Sequence, residues 1–391
     1  MAVDYARSRA RGRARRIETG AASLAGRFDW IMFGALVALV GYGLHLIEGI
    51  TRDDVVSDPS YFVVRQGVYA AFGAALMIGA SLLDPDVYRR YWRQLYAVAV
   101  VLLLLVIPLG TEARGSTRWI GIGSFSFQPS ELGKLLVILT VGGFLAERAR
   151  RIGEIRTVLA AIGLAAMPGL LVFFQPDIGT SLVYGVAIAA MLFVAGTRWL
   201  HLGALVALTA FVAASVVWLL PSLGIEVLEP YQRERLTAFV DRESDPQGAS
   251  YNVQQSILAV GAGGLRGRGV DNATQTSLNY LPEHATDFAF ASLAEQRGFV
   301  GAAILLLLYL LLVWRGLRVV TYAPDAYSAI VAGGIVLAVL FQIFVNVGMT
   351  MGIAPVTGIP LPFVSVGGSS LVTNMLAVGV LQAIHARGRR R

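Results

Sequence analysis

The chain contains no cysteine, which excludes disulfide staples, thiolate catalysis and cysteine-ligated metals. Its four histidines are scattered, with no pair at metal-ligand spacing, so redox chemistry finds no hardware here. Charge is scarce too: 15% of the 391 residues are Asp, Glu, Lys or Arg, against 56% hydrophobic. That balance excludes an ordinary soluble fold. Alternating apolar and polar residues are also wanting, and with them the pattern of a membrane β-barrel. No cleavable signal peptide and no repeat of about 20–50 residues stands out.

What the chain has instead is long apolar runs. They cover approximately 30–48, 62–83, 94–110, 131–146, 157–175, 179–196, 199–220, 289–314, 327–350 and 363–385. Crossing a bilayer core takes roughly 20 residues of helix, and lipid leaves backbone groups no partner but their own helix. The expected fold class is therefore an all-α polytopic membrane protein of about ten transmembrane helices, with one long loop between the seventh and eighth.

The scarce positive charge is placed unevenly. Arg7, Arg9, Arg11, Arg13, Arg15 and Arg16 precede the first run, and Arg387, Arg389, Arg390 and Arg391 follow the last. Arg89, Arg90, Arg93, Arg148, Arg150, Arg151, Arg156, Arg198, Arg315 and Arg318 fall on the same side under strict alternation. The positive-inside rule then puts both termini in the cytoplasm, and anionic membrane lipids account for the net charge of +7 without a nucleic-acid partner. The expected organisation is a basic cytoplasmic arm over 1–28, one membrane domain over 29–385 and a basic tail over 386–391. The connections 49–61, 111–130, 176–178, 221–288 and 351–362 face outward, and 221–288 is much the longest.

Polar residues concentrate on that outward side in five blocks. The first runs from Arg118 and Trp119 to Pro129-Ser130-Glu131 and Lys134. A re-entrant loop with Ser130 as helix cap and Trp119 at the interface explains part of it. It leaves Glu131 and Lys134 one helical turn apart at the start of a span, where charges are costly unless paired or lining a polar cavity. The second block is Gln175-Pro176-Asp177-Ile178-Gly179-Thr180, a tight turn in which capping alone is a sufficient reason for Asp177. The third is the long loop, with Arg233 and Arg235, Asp245-Pro246 and Tyr251-Asn252-Val253-Gln254. Arginine on the outer face runs against the positive-inside bias; an anionic ligand such as pyrophosphate would give it a reason, and a solvated loop with local Arg/Glu pairs is the plain alternative. The glycine run 261–269 in the same loop is a weak phosphate-loop signal, with close packing an equal reading.

The fourth block is Leu281-Pro282-Glu283-His284-Ala285-Thr286-Asp287-Phe288. Two carboxylates four residues apart at the water end of a helix can move a proton from a sugar hydroxyl as it attacks; Thr286 and Asp287 as simple caps is the rival reading. Glu295 and Arg297 lie slightly deeper and need a partner, either each other or a ligand. The fifth pairs Asn346 with the segment 358–370, which ends in Gly367-Gly368-Ser369-Ser370, a run that also suits small-residue helix packing.

In order and spacing these blocks resemble the SEDS family of shape, elongation, division and sporulation proteins, from about residue 30 to 385. Gln175-Pro176-Asp177-Ile178-Gly179-Thr180-Ser181 and Asp245-Pro246 are most similar to its RodA branch rather than to FtsW. The resemblance implies a peptidoglycan glycosyltransferase that polymerises lipid II into glycan strands on the outer face of the cytoplasmic membrane during elongation. It implies Asp287 as the catalytic residue, and Glu283, Thr286, Arg118, Trp119, Glu131, Lys134, Asp177, Arg233, Arg235, Gln254 and Ser369 about the substrate. A divalent cation, Mg or Mn, is the one cofactor expected, with no metal ligand assigned. The implied partners are lipid II, the lipid-linked glycan strand and a class B penicillin-binding protein. One position departs from the family pattern: Ala285 stands where the family has histidine, and His284 one place earlier. A lipid II flippase and a non-catalytic scaffold of the wall-synthesis complex remain the rival readings. A flippase needs polar groups through the full membrane depth, and a scaffold has no use for Asp287 beyond a cap.

Overall fold

In a computed structural model of the chain, residues 26, 28–52, 54–55, 58–113, 116–123, 125–224, 239 and 249–388 are described. Each predicted run is a helix: α1 (Trp30–Ile50), α2 (Tyr61–Leu82), a short α3 (Pro85–Arg90), α4 (Trp92–Leu109), α5 (Pro129–Glu147), α6 (Ile155–Phe174), α7 (Ile178–Val194) and α8 (Trp199–Ala214). After α9 (Ala249–Gly263) and α10 (Thr274–Ser277) come α11 (Ala289–Thr321), α12 (Ala326–Thr350) and α13 (Gly368–Gly388). Among the described residues nine helices are long and apolar enough to cross a membrane, counting α8 with its continuation to Ser222. The tenth, α7, has 17 residues, a length of about 26 Å at the α-helical rise.

Local chemistry sets the boundaries. Asp29, Asp84, Asp177 and Asp325 are N-caps whose carboxylates accept from Met32, Asp86, Thr180 and Ser328 amides, satisfying first-turn donors that have no partner within the helix. Pro85 and Pro129 occupy first-turn positions, where a missing N–H costs nothing. Three helices, α5, α12 and α13, are buried along most of their length and form the centre of the bundle. By contrast, no residue of α8's most apolar window is buried.

Contacts gather the arginine-bearing connections at one end. Arg315 grips the buried Asp29 carboxylate through Nε and Nη2 at 2.8 and 2.6 Å, Gln382 exchanges two hydrogen bonds with the Asp29 backbone, and Arg387 meets Asp84 at 3.1 Å. The opposite end carries two features that hydropathy does not disclose. The first is an antiparallel sheet of order β1-β2-β3, formed by β1 (Thr111–Ala113), β2 (Ser116–Ile122) and β3 (Phe125–Phe127). It replaces the expected re-entrant loop, so the fold is helical with one small sheet at its polar end. The second is α9, which lies within the long connection and buries Val253, Ser256 and Ala259. Ser256 Oγ donates to the Thr350 carbonyl at 2.8 Å. The same apolar cluster includes Leu281, Phe288 and Met349.

The glycine run has a structural job. α11 breaks at Gly298, whose φ is 66°. The backbone groups freed there pair with the run: Arg268 and Gly269 amides donate to the Glu295 and Gln296 carbonyls at 2.9 and 3.0 Å, and Phe299 donates to the Gly264 carbonyl at 2.9 Å. A Cβ on Gly298 would collide with the Gly267 amide. Gly298→Ala is therefore expected to destabilise the protein by about 1–3 kcal/mol from the left-handed backbone alone, read as a lower thermal unfolding midpoint of the purified protein. Glu295 serves the same neighbourhood. Fully buried, it accepts from the Gln275 and Thr276 amides and the Thr276 hydroxyl at 2.8, 3.0 and 2.7 Å. Arg297 contacts His45 at 2.6 Å, so these two charges do not pair with each other.

Candidate functional site

At the sheet-bearing end, a cavity of about 460 Å³ opens between α2, the sheet, the segment before α11 and the segment before α13. Its carboxylates are Glu283 and Asp287 before α11 and Glu131 in the first turn of α5; its guanidinium groups are Arg65 on α2 and Arg118 on β2. Trp119, Gln128, Thr286 and Ser370 also line it.

The segment before α11 is fixed by its backbone. Val366 N–H donates to the Ala285 carbonyl at 2.9 Å, Ser365 Oγ to the Thr286 carbonyl, and Asn346 Nδ2 to the carbonyls of Asp287 and Ile359 at 2.9 and 2.8 Å. Buried Asn346 near the end of α12 thus ties together two adjoining segments, before α11 and before α13, that line the cavity side by side. Glu283 has φ 56°, in the left-handed region, and accepts from Thr286 Oγ1 at 2.7 Å. The helix-cap reading of Thr286 and Asp287 does not hold, because α11 starts at Ala289 with Phe288 as N-cap and no side-chain cap.

His284 turns away from the cavity. Its Nδ1 lies 3.2 Å from the Leu281 carbonyl and its Nε2 3.3 Å from Asp54 Oδ2. The displaced histidine therefore clasps the 281–288 turn to the connection after α1.

The opposite wall rests on two ion pairs. Asp177 is 3% exposed; besides capping α7 it accepts from Gln128 Nε2 at 2.8 Å and Ser130 Oγ at 3.4 Å, and Arg118 Nη1 approaches it at 3.7 Å. Ser130 therefore lies inside α5, bonded to Asp177, and does not cap that helix. Arg118 Nε is buried with no hydrogen-bond partner, a donor left for a ligand. Behind this wall Lys134 Nζ binds Glu131 Oε1 at 2.8 Å and Gln342 Oε1 at 3.3 Å. Glu131 Oε2 is buried and unsatisfied.

The cavity thus brings together Asp287, Glu283, Thr286, Arg118, Trp119 and Glu131. Lys134, Asp177 and Ser369 stand behind its lining; Ser369 Oγ accepts from the Gln128 amide at 2.9 Å and donates to the Ser126 carbonyl of β3 at 3.3 Å, fastening the sheet to α13. Gln254 is exposed on α9, apart from the lining, while Arg233 and Arg235 fall outside the described residues. Sequence reasoning passed over Arg65, Gln66 and Tyr69 of α2, all of which line the cavity. The signal was available: an arginine one turn inside an apolar run calls for a polar cavity as strongly as Glu131 does. Among the described residues no three His, Asp or Glu side chains form a group able to hold a metal ion.

Residues 28–390 match the family model for the cell cycle proteins FtsW, RodA and SpoVE. The chain is 38% identical over 357 residues to the peptidoglycan glycosyltransferase MrdB of Escherichia coli strain K12, covering 91% of this chain and 93% of that protein. It is also similar to a chain in a peptidoglycan synthase complex that coordinates polymerization and crosslinking, with TM-score 0.79, 29% identity and coverage of 93% and 99%. The crystal structure of the Thermus thermophilus rod shape determining protein RodA matches with TM-score 0.67, 28% identity and coverage of 93% and 98%. With that match spanning nearly the whole chain, the protein belongs to the FtsW/RodA/SpoVE family.

Proposed function

We propose that this protein is a peptidoglycan glycosyltransferase that polymerises lipid II in the cavity at the sheet-bearing end, on the outer face of the bacterial cytoplasmic membrane. The observation that carries the site is the sharing of one cavity by the Asp287 carboxylate and the Arg118 and Arg65 guanidinium groups. Glycosyl transfer from a lipid pyrophosphate needs that pairing: a base for the attacking hydroxyl and cations for the departing phosphates. The basic connections, which gather at the other end, support the outward placement of this one.

In this reading Asp287 takes the proton from the GlcNAc 4-hydroxyl of the incoming lipid II. The freed oxygen forms a bond to the anomeric carbon of the lipid-linked strand as the bond from that carbon to phosphate breaks. Undecaprenyl pyrophosphate leaves with the electron pair, and the anomeric centre inverts in a single displacement. Arg118 and Arg65 stabilise the charge on the leaving phosphate, Arg118 through the Nε that bonds nothing within the protein. Thr286 holds Glu283 beside Asp287. A divalent cation arriving with the pyrophosphate would be held by the Glu283 carboxylate and water rather than in an all-protein cage, leaving Asp287 free to act as the base. Such a cation would supply further charge neutralisation at the phosphates.

The partner in this reading is a class B penicillin-binding protein, which crosslinks the strands made here. The test is polymerisation of purified lipid II by the detergent-solubilised protein, with and without that transpeptidase. Glycan strands are the expected product; no polymer under either condition would move the assignment to transport or scaffolding. Within the same assay, Arg118→Lys keeps the charge but loses the planar fork. It is expected to lower turnover about tenfold, roughly the 1.4 kcal/mol of one charge-assisted hydrogen bond.

A further inference from the structure

A second cavity of about 460 Å³ lies at the opposite end of the bundle, between the first turns of α6 and α8. It is lined by Arg156, Arg198 and His201, with Glu154 as its acidic residue. Arg198 folds over the entry to α6, and its Nε lies 3.4 Å from the position a Cβ would take on Gly153. Both helices begin without a side-chain cap, their N-caps being Glu154 and Arg198. Two positive helix ends with uncapped first-turn amides therefore meet at one basic cavity.

An independent observation points to a ligand. His201 Nδ1 is enclosed and has no hydrogen-bond partner. Buried polar atoms are rarely left orphaned unless something absent from the protein satisfies them. The surroundings define what that is. Ile155, Leu159, Trp199 and Leu200 are exposed apolar side chains on these same two helices, and α8 offers its length to lipid. An aromatic ring beside arginines at the start of a spanning helix is interfacial chemistry.

We propose that this cavity binds the phosphate of an anionic phospholipid in the leaflet at this end, its acyl chains lying along α6 and α8. Arg156 and Arg198 grip the phosphate oxygens, His201 donates through Nδ1, and the uncapped amides add their dipoles. The lipid then fastens the base of α8, the helix the bundle holds least, to α6. The proposal is independent of the catalytic assignment at the other end.

The test is native mass spectrometry and thermal unfolding of the full-length purified protein, titrated with phosphatidylglycerol, phosphatidylcholine or inorganic phosphate. Wild type is expected to hold one phosphatidylglycerol saturably and to rise in unfolding temperature, with little response to phosphatidylcholine. Arg156→Gln and Arg198→Gln are each expected to weaken phosphatidylglycerol binding about fivefold, and together about thirtyfold. Arg150→Gln with Arg151→Gln, a basic pair one turn earlier in the chain, serves as the control and should bind as wild type. The single variants carry the test if the double variant does not fold. Equal phosphatidylglycerol binding by wild type and the cavity variants overturns the site, as does no preference over phosphatidylcholine. Saturable stabilisation by inorganic phosphate that displaces phosphatidylglycerol overturns the lipid as its occupant.

Discussion

Asp287→Asn and Asp287→Ala are each expected to lower lipid II polymerisation by about 10²–10⁴-fold, the range for losing a positioned general base. The fold should survive both changes, because the neighbouring structure holds Asp287 by its carbonyl: Asn346 Nδ2 donates to that backbone oxygen at 2.9 Å, and Asn346 meets Ile359 with the same group. Asparagine keeps the shape and a hydrogen-bonding oxygen but cannot take a proton, so it separates base chemistry from positioning. Equal losses in the two variants, at matched unfolding temperature, assign a proton-transfer role to the carboxylate. Retention of most activity by Asp287→Asn would make the residue a positioning group, and full activity in both would remove it from the mechanism. Glu283, bonded to Thr286, is the carboxylate to examine in that event.

The helices were legible because bilayer-length apolar runs leave the chain no alternative to helix: among the described residues nine are long and apolar enough to cross a membrane, the expected run 179–196 forms the 17-residue α7, and α11 runs on to Thr321, seven residues past the expected end at 314. The last starts at Gly368 rather than at 363: Pro355, Pro360 and Pro362 hold the preceding segment out of helix, and its Ser365 and Val366 are used to grip the carbonyls of Thr286 and Ala285. The sheet at 111–127 was not legible, since β1 and β3 have only three residues each and the seven of β2 run Ser-Thr-Arg-Trp-Ile-Gly-Ile without a clean alternation. Nor was the partner of Glu295, a carboxylate that reaches back some twenty residues to the turn at Thr276. Such bonds depend on the path of a loop, which hydropathy does not describe. Asp177 was only half legible: capping is real, but the same carboxylate also collects Gln128 and Arg118 from the sheet side.

The Glu131–Lys134 pair allows stability and activity to be separated. Both residues are buried, at 1% and 7% exposure, in a helix within the membrane-spanning bundle, and Lys134 is the cation on Glu131 Oε1. Lys134→Met leaves that carboxylate buried without its partner while Oε2 already lacks one. Breaking a buried pair from one side costs about 3–5 kcal/mol, so a large fall in thermal unfolding temperature is expected. Adding Glu131→Gln removes the uncompensated charge, and replacing both partners of a buried pair is often neutral. The double variant is therefore expected to recover most of the lost stability. Polymerisation should not return with it, because Glu131, and not Lys134, lines the cavity. Recovery of both would make the pair a purely structural bolt. Recovery of stability alone would place the Glu131 carboxylate among the groups that act on the substrate, with Lys134 behind it holding it in position.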